Sequence, residues 1–225
     1  MAPAVDVRVS DDAGGACAAA ARTIAEHLAA AVTARGVAHL ALSGGSTGAR
    51  LARALATEPV DWSAVHLWQV DERVAPDGDP ARNATALLHE LVERAHVPRE
   101  VVHLMPVTEP DLAAAAAAYA RVLPRLDVVH LGLGADGHTA SWPPDQPGVA
   151  TRAGDVTSTE PFNGHRRLTL TAPPVAAARA VVWVVCGADK RQALARVLAG
   201  DHALPATRAL DARSVVFADR AAAPR

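Results

Sequence analysis

Short apolar runs alternate along this chain with longer stretches of helical periodicity. The runs are V-D-V-R-V (5–9), H-L-A-L-S (39–43), V-H-L-W-Q-V (65–70), V-V-H-L-M (101–105), D-V-V-H-L-G-L (127–133), R-L-T-L-T (167–171), V-V-W-V-V-C (181–186) and S-V-V-F-A (214–218). Apolar runs of this length predict buried strands, and most of the stretches between them predict helices. Ser10 or Asp11 is the expected cap of the first helix and Asp189 that of the last long one. The tract Ala113–Ala118, set between Asp111 and Tyr119-Ala-Arg-Val-Leu, reads as a helix body. Such repetition predicts an α/β fold: a mainly parallel, Rossmann-like sheet with helices on both faces. No internal repeat or clear linker divides residues 1–225, so a single domain is expected. Residues 143–166, P-P-D-Q-P-G…P-F-N-G-H-R, are rich in turn formers and predict a long loop or flap.

Composition narrows the classes. With 225 residues, 50% of them hydrophobic, and a mean hydropathy of +0.11, the chain can bury a large core. Lys+Arg 22 against Asp+Glu 24 gives a net charge of -2, with no basic stripe or aromatic ladder, which argues against nucleic acid as a partner. The amino-terminal residues are strand-like rather than signal-like, and no apolar run of about 18 residues occurs, so no membrane association is expected. Cys17 and Cys186 are far apart in sequence, and Cys186 closes an apolar strand; a buried, inert thiol in a reduced cytoplasmic protein is the expectation. Oligomeric state is not set by the pattern, and a monomer is compatible with it.

Ligands of parallel α/β sheets collect at the carboxyl ends of the strands, so chemically capable residues should follow the apolar runs. Three loops fit. After the run at 39 come Ser43-Gly44-Gly45-Ser46-Thr47 and a helical pattern, where main-chain N–H groups, hydroxyls and a helix amino end suit a phosphate. A plain glycine turn with a serine cap has the same composition. After the run at 65 come Asp71-Glu72-Arg73, charges that need partners or a ligand if buried. After the run at 127 come Gly134-Ala135-Asp136-Gly137-His138-Thr139, where glycines permit close approach to an imidazole suited to act as a base near neutral pH.

Gly132, Gly134 and Gly137 also match a dinucleotide-binding spacing, but Pro143 and Pro144 stop any helix after one turn and no strand leads into Glu160, so no dinucleotide site is expected. Lys190 and Arg191 are candidates for phosphate counter-charge. The ten histidines form neither H-E-x-x-H nor a Cys/His cluster, so no metal is expected; His130 and the eight histidines besides it and His138 read as packing or surface residues.

Together S-G-G-S-T (43–47), D-E-R-V-A-P (71–76) with Asn83, G-L-G-A-D-G-H-T-A-S (132–141), R-L-T-L-T-A-P (167–173), G-A-D-K-R-Q-A-L (187–194) and L-P-A (204–206) resemble the 6-phosphogluconolactonases. These belong to a wider sugar-phosphate family that includes glucosamine-6-phosphate deaminase. The resemblance implies hydrolysis of 6-phospho-D-glucono-1,5-lactone to 6-phospho-D-gluconate in the oxidative pentose phosphate pathway, without a cofactor. It assigns His138 to the catalytic loop, Asp71 and Arg73 to the active site, Ser43 to Thr47 with Lys190 to the substrate phosphate, and Arg167 less directly to substrate. Asp71 or Asp136 would orient the imidazole, and Arg73 or main-chain N–H groups would face the developing oxyanion. Two positions depart from the family pattern: Trp142-Pro143-Pro144, expected to reshape the flap, and Arg82, expected to alter substrate fit. A deaminase or isomerase would carry Asp-Glu-Tyr at 71–73 and an acidic residue after the histidine loop. A non-catalytic sugar-phosphate sensor would need a DNA-binding module, and the first strand here begins by Val5.

Overall fold

The computed structural model describes residues 5–224. In chain order the elements are β1 (Asp6–Ser10), α1 (Ala13–Arg35), β2 (Ala38–Leu42), α2 (Gly45–Leu55), β3 (Val65–Gln69), β4 (Asp71–Arg73), α3 (Asn83–Leu87), β5 (Val102–His103), α4 (Leu112–Val122) and β6 (Val128–Leu131). They continue with β7 (Val156–Ser158), β8 (Arg167–Leu170), α5 (Ala172–Ala177), β9 (Ala180–Val185), α6 (Arg191–Leu198) and β10 (Ser214–Asp219). Seven strands form a parallel sheet in the order β1-β10-β9-β6-β2-β3-β5.

The central strands explain why. In β9 every residue is buried; Val181, Trp183 and Val185 join one apolar cluster while Val182 and Val184 join the other. A strand wet on neither side has no polar face to alternate, which is what its unbroken apolar run encodes. Leu112, Ala115, Ala116 and Tyr119 of α4 and Ala193, Leu194 and Val197 of α6 fill the first cluster; α1 and α2 cover the second with Ile24, Leu28, Leu51 and Leu55.

The structure corrects several boundaries. Asp12, not Ser10 or Asp11, caps α1: its extended backbone lets the carboxylate accept from Gly15 N at 2.8 Å. Ser10 is spent as the last residue of β1, and Asp11 pairs with Arg220. Asp189 caps nothing, because it lies inside a single 3-10 turn (Ala188–Lys190) and its carboxylate pairs with Lys190 instead. The run at 101–105 yields only Val102–His103 as strand, at the sheet edge, after a 3-10 turn at Arg99–Val101. Cys186, expected buried, is partly exposed beyond β9.

The largest correction concerns a second sheet. Residues 71–73 are not the tail of β3, and 167–171 does not join the parallel sheet; β4, β8 and β7 form an antiparallel sheet in the order β4-β8-β7. Val70 makes the switch, since its N–H bonds to Leu42 O at 3.0 Å in the large sheet while its carbonyl accepts from Leu170 N at 2.8 Å in the small one. The segment 143–166 is mostly turns, but it also contributes β7 to that sheet.

Candidate active site

Three loops at the carboxyl ends of β2, β3 and β6 meet over a cleft of about 190 Å³. Its wall includes Ser43, Gly44, Gly45, Ser46 and Thr47 on one side and Gly132, Leu133, Gly134, His138, Thr139 and Ala140 on another. Asp71, Arg73, Asn83, Arg167 and Lys190 complete it.

The first loop runs directly into α2, whose N-cap Gly44 has no side-chain cap, so the helix amino end is presented bare toward the cleft. Gly44 must be glycine: a Cβ there would lie 1.9 Å from Asn83 Oδ1. The Ser43 hydroxyl, expected as a free donor, donates to the His130 carbonyl at 3.0 Å. The remaining donors of the cradle are main-chain N–H groups and the hydroxyls of Ser46 and Thr47.

On β4 the alternation of side chains separates three charges. Asp71 and Arg73 line the cleft, while Glu72 turns away and is fully buried. Glu72 accepts from Gln69 Nε2 at 2.9 Å, Arg73 N at 2.8 Å, Asn83 N at 2.7 Å and Ala84 N at 2.8 Å, and lies 3.1 Å from Arg82 Nε. Its charge is thus matched by the amino end of α3 and by Arg82, which is what a carboxylate needs to survive burial. Arg82 sits on this outer side, bonded to Ala75 O and Asp77, and does not line the cleft. Asp71 accepts from Ser141 Oγ at 2.7 Å and from Asn83 Nδ2 at 3.3 Å, and lies 3.6 Å from Arg167 Nη1. Arg73 donates through Nη1 to Ala81 O at 2.6 Å, with its buried Nε unpartnered.

In the third loop Gly137 takes φ 85, a left-handed conformation, and the turn closes through Gly134 N to His138 O at 2.8 Å. Asp136 Oδ1 lies 2.5 Å from His138 Nδ1 and accepts from His138 N at 3.2 Å. Burial pushes the Asp136 carboxyl up, but the His138 charge and the hydrogen bonds from His138 outweigh it and hold the group below its ordinary value. Of the two carboxylates left open by sequence, Asp136 therefore holds the imidazole, while Asp71 is engaged by Ser141, Asn83 and Arg167. With Nδ1 occupied, Nε2 is the nitrogen left for the cleft. Residues 132–155 are turns and coil, so the glycine spacing opens no helix for a dinucleotide.

Trp142 is 1% exposed and donates through Nε1 to Leu170 O at 2.7 Å, pinning the loop to β8. Lys190 lines the cleft, 2.9 Å from Asp189, whereas Arg191 bonds to Ala221 O and Arg220 O. Burial lowers Arg167 from its ordinary value, opposed by Asp71. Sequence reasoning missed Glu72 and Ser141 as supports; the only signal for Glu72 was a charge directly after a buried strand. Among the described residues, no group of three or more His, Cys, Asp or Glu side chains is arranged to hold a metal.

Comparison with known proteins agrees with this geometry. Residues 11–217 match the model of the family described as glucosamine-6-phosphate isomerases/6-phosphogluconolactonase. A 6-phosphogluconolactonase of Streptomyces coelicolor is 38% identical, over 92% of this chain and 88% of its own. One from Mycobacterium tuberculosis is 34% identical over 86% of each. Among solved structures, a 6-phosphogluconolactonase from Shewanella baltica superposes with a TM-score of 0.86 at 28% identity, covering 97% of this chain and 99% of that one. This chain belongs to the glucosamine-6-phosphate isomerase/6-phosphogluconolactonase family.

Proposed function

We infer that the protein is a 6-phosphogluconolactonase, opening 6-phospho-D-glucono-1,5-lactone to 6-phospho-D-gluconate in the oxidative pentose phosphate pathway, as a single cytoplasmic α/β unit needing no cofactor. One observation carries the reading: His138, braced by Asp136, shares a cleft with the Ser43–Thr47 cradle. The cradle and Lys190 hold the substrate phosphate, and Arg167 adds positive charge on the wall shared with Asp71. Fixing that remote group orients the lactone carbonyl, so binding energy is converted into alignment.

His138 Nε2 then removes a proton from the attacking water while Asp136 stabilises the imidazolium that forms. Arg73, which lines the cleft, and main-chain N–H groups of the glycine loop face the developing oxyanion. Collapse of the tetrahedral intermediate expels the ring oxygen, which takes from His138 the proton that the imidazole removed from water. Asp71 keeps Arg167 and Ser141 in register.

Freshly generated lactone should yield acid faster than an enzyme-free control, and His138→Ala should lower turnover by roughly 10²–10⁴-fold while phosphate binding persists. Parent-like turnover in that variant would remove the base assignment. Ammonia release from glucosamine 6-phosphate would reverse the choice of activity.

A further inference from the structure

Phe162 belongs to none of the three loops, yet its ring lies against side chains of two cleft walls. It sits where the turn-rich segment 143–166 folds back on itself. Asn163 and Gly164 both take left-handed conformations, φ 49 and 84, as a two-residue hairpin turn of the Asn-Gly type requires. The turn pairs Phe162 with His165, with Phe162 N donating to His165 O at 2.9 Å. The chain then enters β8 at Arg167, whose Nη2 donates back to the Phe162 carbonyl at 3.2 Å.

This register puts the Phe162 ring beneath the Arg167 guanidinium, 4.9 Å from its carbon, and against the His138 imidazole, 5.0 Å between centroids at 81°. Arg167 is 5% exposed, and its donors reach Ser141 Oγ and the Phe162 carbonyl. The flat face of a buried guanidinium cannot hydrogen-bond, so an aromatic ring is the neighbour that stabilises it without competing for its donors. His138 is fixed at Nδ1 by Asp136, a single bond that leaves the ring free to tilt about it. A second ring at nearly a right angle restricts that tilt.

We propose that Phe162 is a positioning residue for the reaction: its ring sets the tilt of His138 and the plane of Arg167, tying the 143–166 segment to both. The inference rests on His138 acting as the base. A displacement of about 1 Å at a reacting group can cost on the order of 10²-fold, so loss of the ring should register in kcat rather than only in stability.

The test is a series at Phe162 measured as kcat and KM across pH, repeated in the His138→Ala background. Phe162→Ala should lower kcat at least about 10-fold and change its pH profile, with the larger part of the loss in kcat rather than KM. Phe162→Tyr keeps the ring and should stay within about threefold of the parent; Phe162→Leu restores bulk without the flat face and should fall between. In the His138→Ala background, the kcat loss of Phe162→Ala should shrink to less than about twofold, because its effect on kcat runs through His138, while any change in KM that runs through Arg167 should persist. Parent-like kcat and pH profile in Phe162→Ala, full recovery by Leu, or additive losses of kcat in the double variant would each overturn the proposal. A His138→Ala enzyme with parent turnover would instead overturn the base assignment, which separates the two failures.

Discussion

His130 and His138 share one strand-to-loop unit, yet their surroundings differ in every respect that matters to a titrating ring. His130, within β6, is fully buried, and neither ring nitrogen has a hydrogen-bond partner among the described residues. His138, in the loop that follows, is partly exposed and braced at Nδ1 by Asp136. Burial alone drives His130 down to about 3, so it stays neutral and serves as packing beneath the first turn of α2, 3.9 Å from where a Cβ of Gly48 would be. The residue type does not decide the role. A ring inside the strand is sealed by sheet and helix, whereas one a few positions later reaches a carboxylate and a cleft.

The strongest way to break this contrast is to crowd the loop ring out of its seat. Gly134 has an ordinary backbone conformation, but a Cβ there would lie 2.0 Å from His138 Nδ1 and 2.4 Å from Asp136 Oδ1. Gly134→Ala should therefore fold and yet lose kcat by on the order of 10²-fold, because the methyl group can be housed only by separating the imidazole from its carboxylate. Paired kinetics and thermal unfolding check this. A variant as active as the parent would mean that the short contact at Nδ1 contributes nothing to turnover.

What could be read in the sequence follows the same division. β9 was legible because a strand buried on both faces leaves an unbroken apolar run, β6 because a single histidine interrupts such a run, and the cradle because small residues and hydroxyls follow one. The small antiparallel sheet was not: no glycine or proline marks the passage from Gln69 to Asp71, and Val70 changes sheets through hydrogen bonds to Leu42 and Leu170, partners remote in sequence. Glu72 was illegible for the same reason, since beside the local Gln69 and Arg73 its burial relies on Asn83, Ala84 and Arg82, contributed by a later segment.

The second test acts on the buried ring. Its folded-state value lies below the ordinary 6.5, so on acidification the unfolded chain takes up the proton first. The associated stability is fully present above about pH 6.5 and is lost as pH falls toward 3, amounting to about 2 kcal/mol by pH 5 at ~1.4 kcal/mol per pH unit. His130→Leu should flatten the dependence between pH 6.5 and 5 by that amount in urea unfolding. At pH 8 it should be neutral or mildly stabilising, because it removes buried polar atoms that have no partners. Turnover should persist, since the cradle uses only the backbone carbonyl at this position. An unaltered pH slope would show that the ring is reached by solvent or a hidden partner.

The smallest effect is expected where rings are only half buried. His39, His66 and His103 lie on neighbouring strands β2, β3 and β5, with His66 and His103 stacked at 5.1 Å and joined Nδ1 to Nε2 at 2.8 Å. Burial first, then repulsion from His66, holds both His39 and His103 below the ordinary imidazole value; Asp127 partly offsets this at His39, and Arg35 adds to it. His66→Asn removes the charge between them and leaves the burial. Both remaining rings should then titrate at higher pH than in the parent while staying below the ordinary value, read from imidazole carbon shifts by NMR. Because water screens these rings, the accompanying gain in acid stability should be well below that of His130→Leu. Unmoved titrations would assign the whole depression to burial, making the stack a weaker copy of His130 rather than a set of coupled charges.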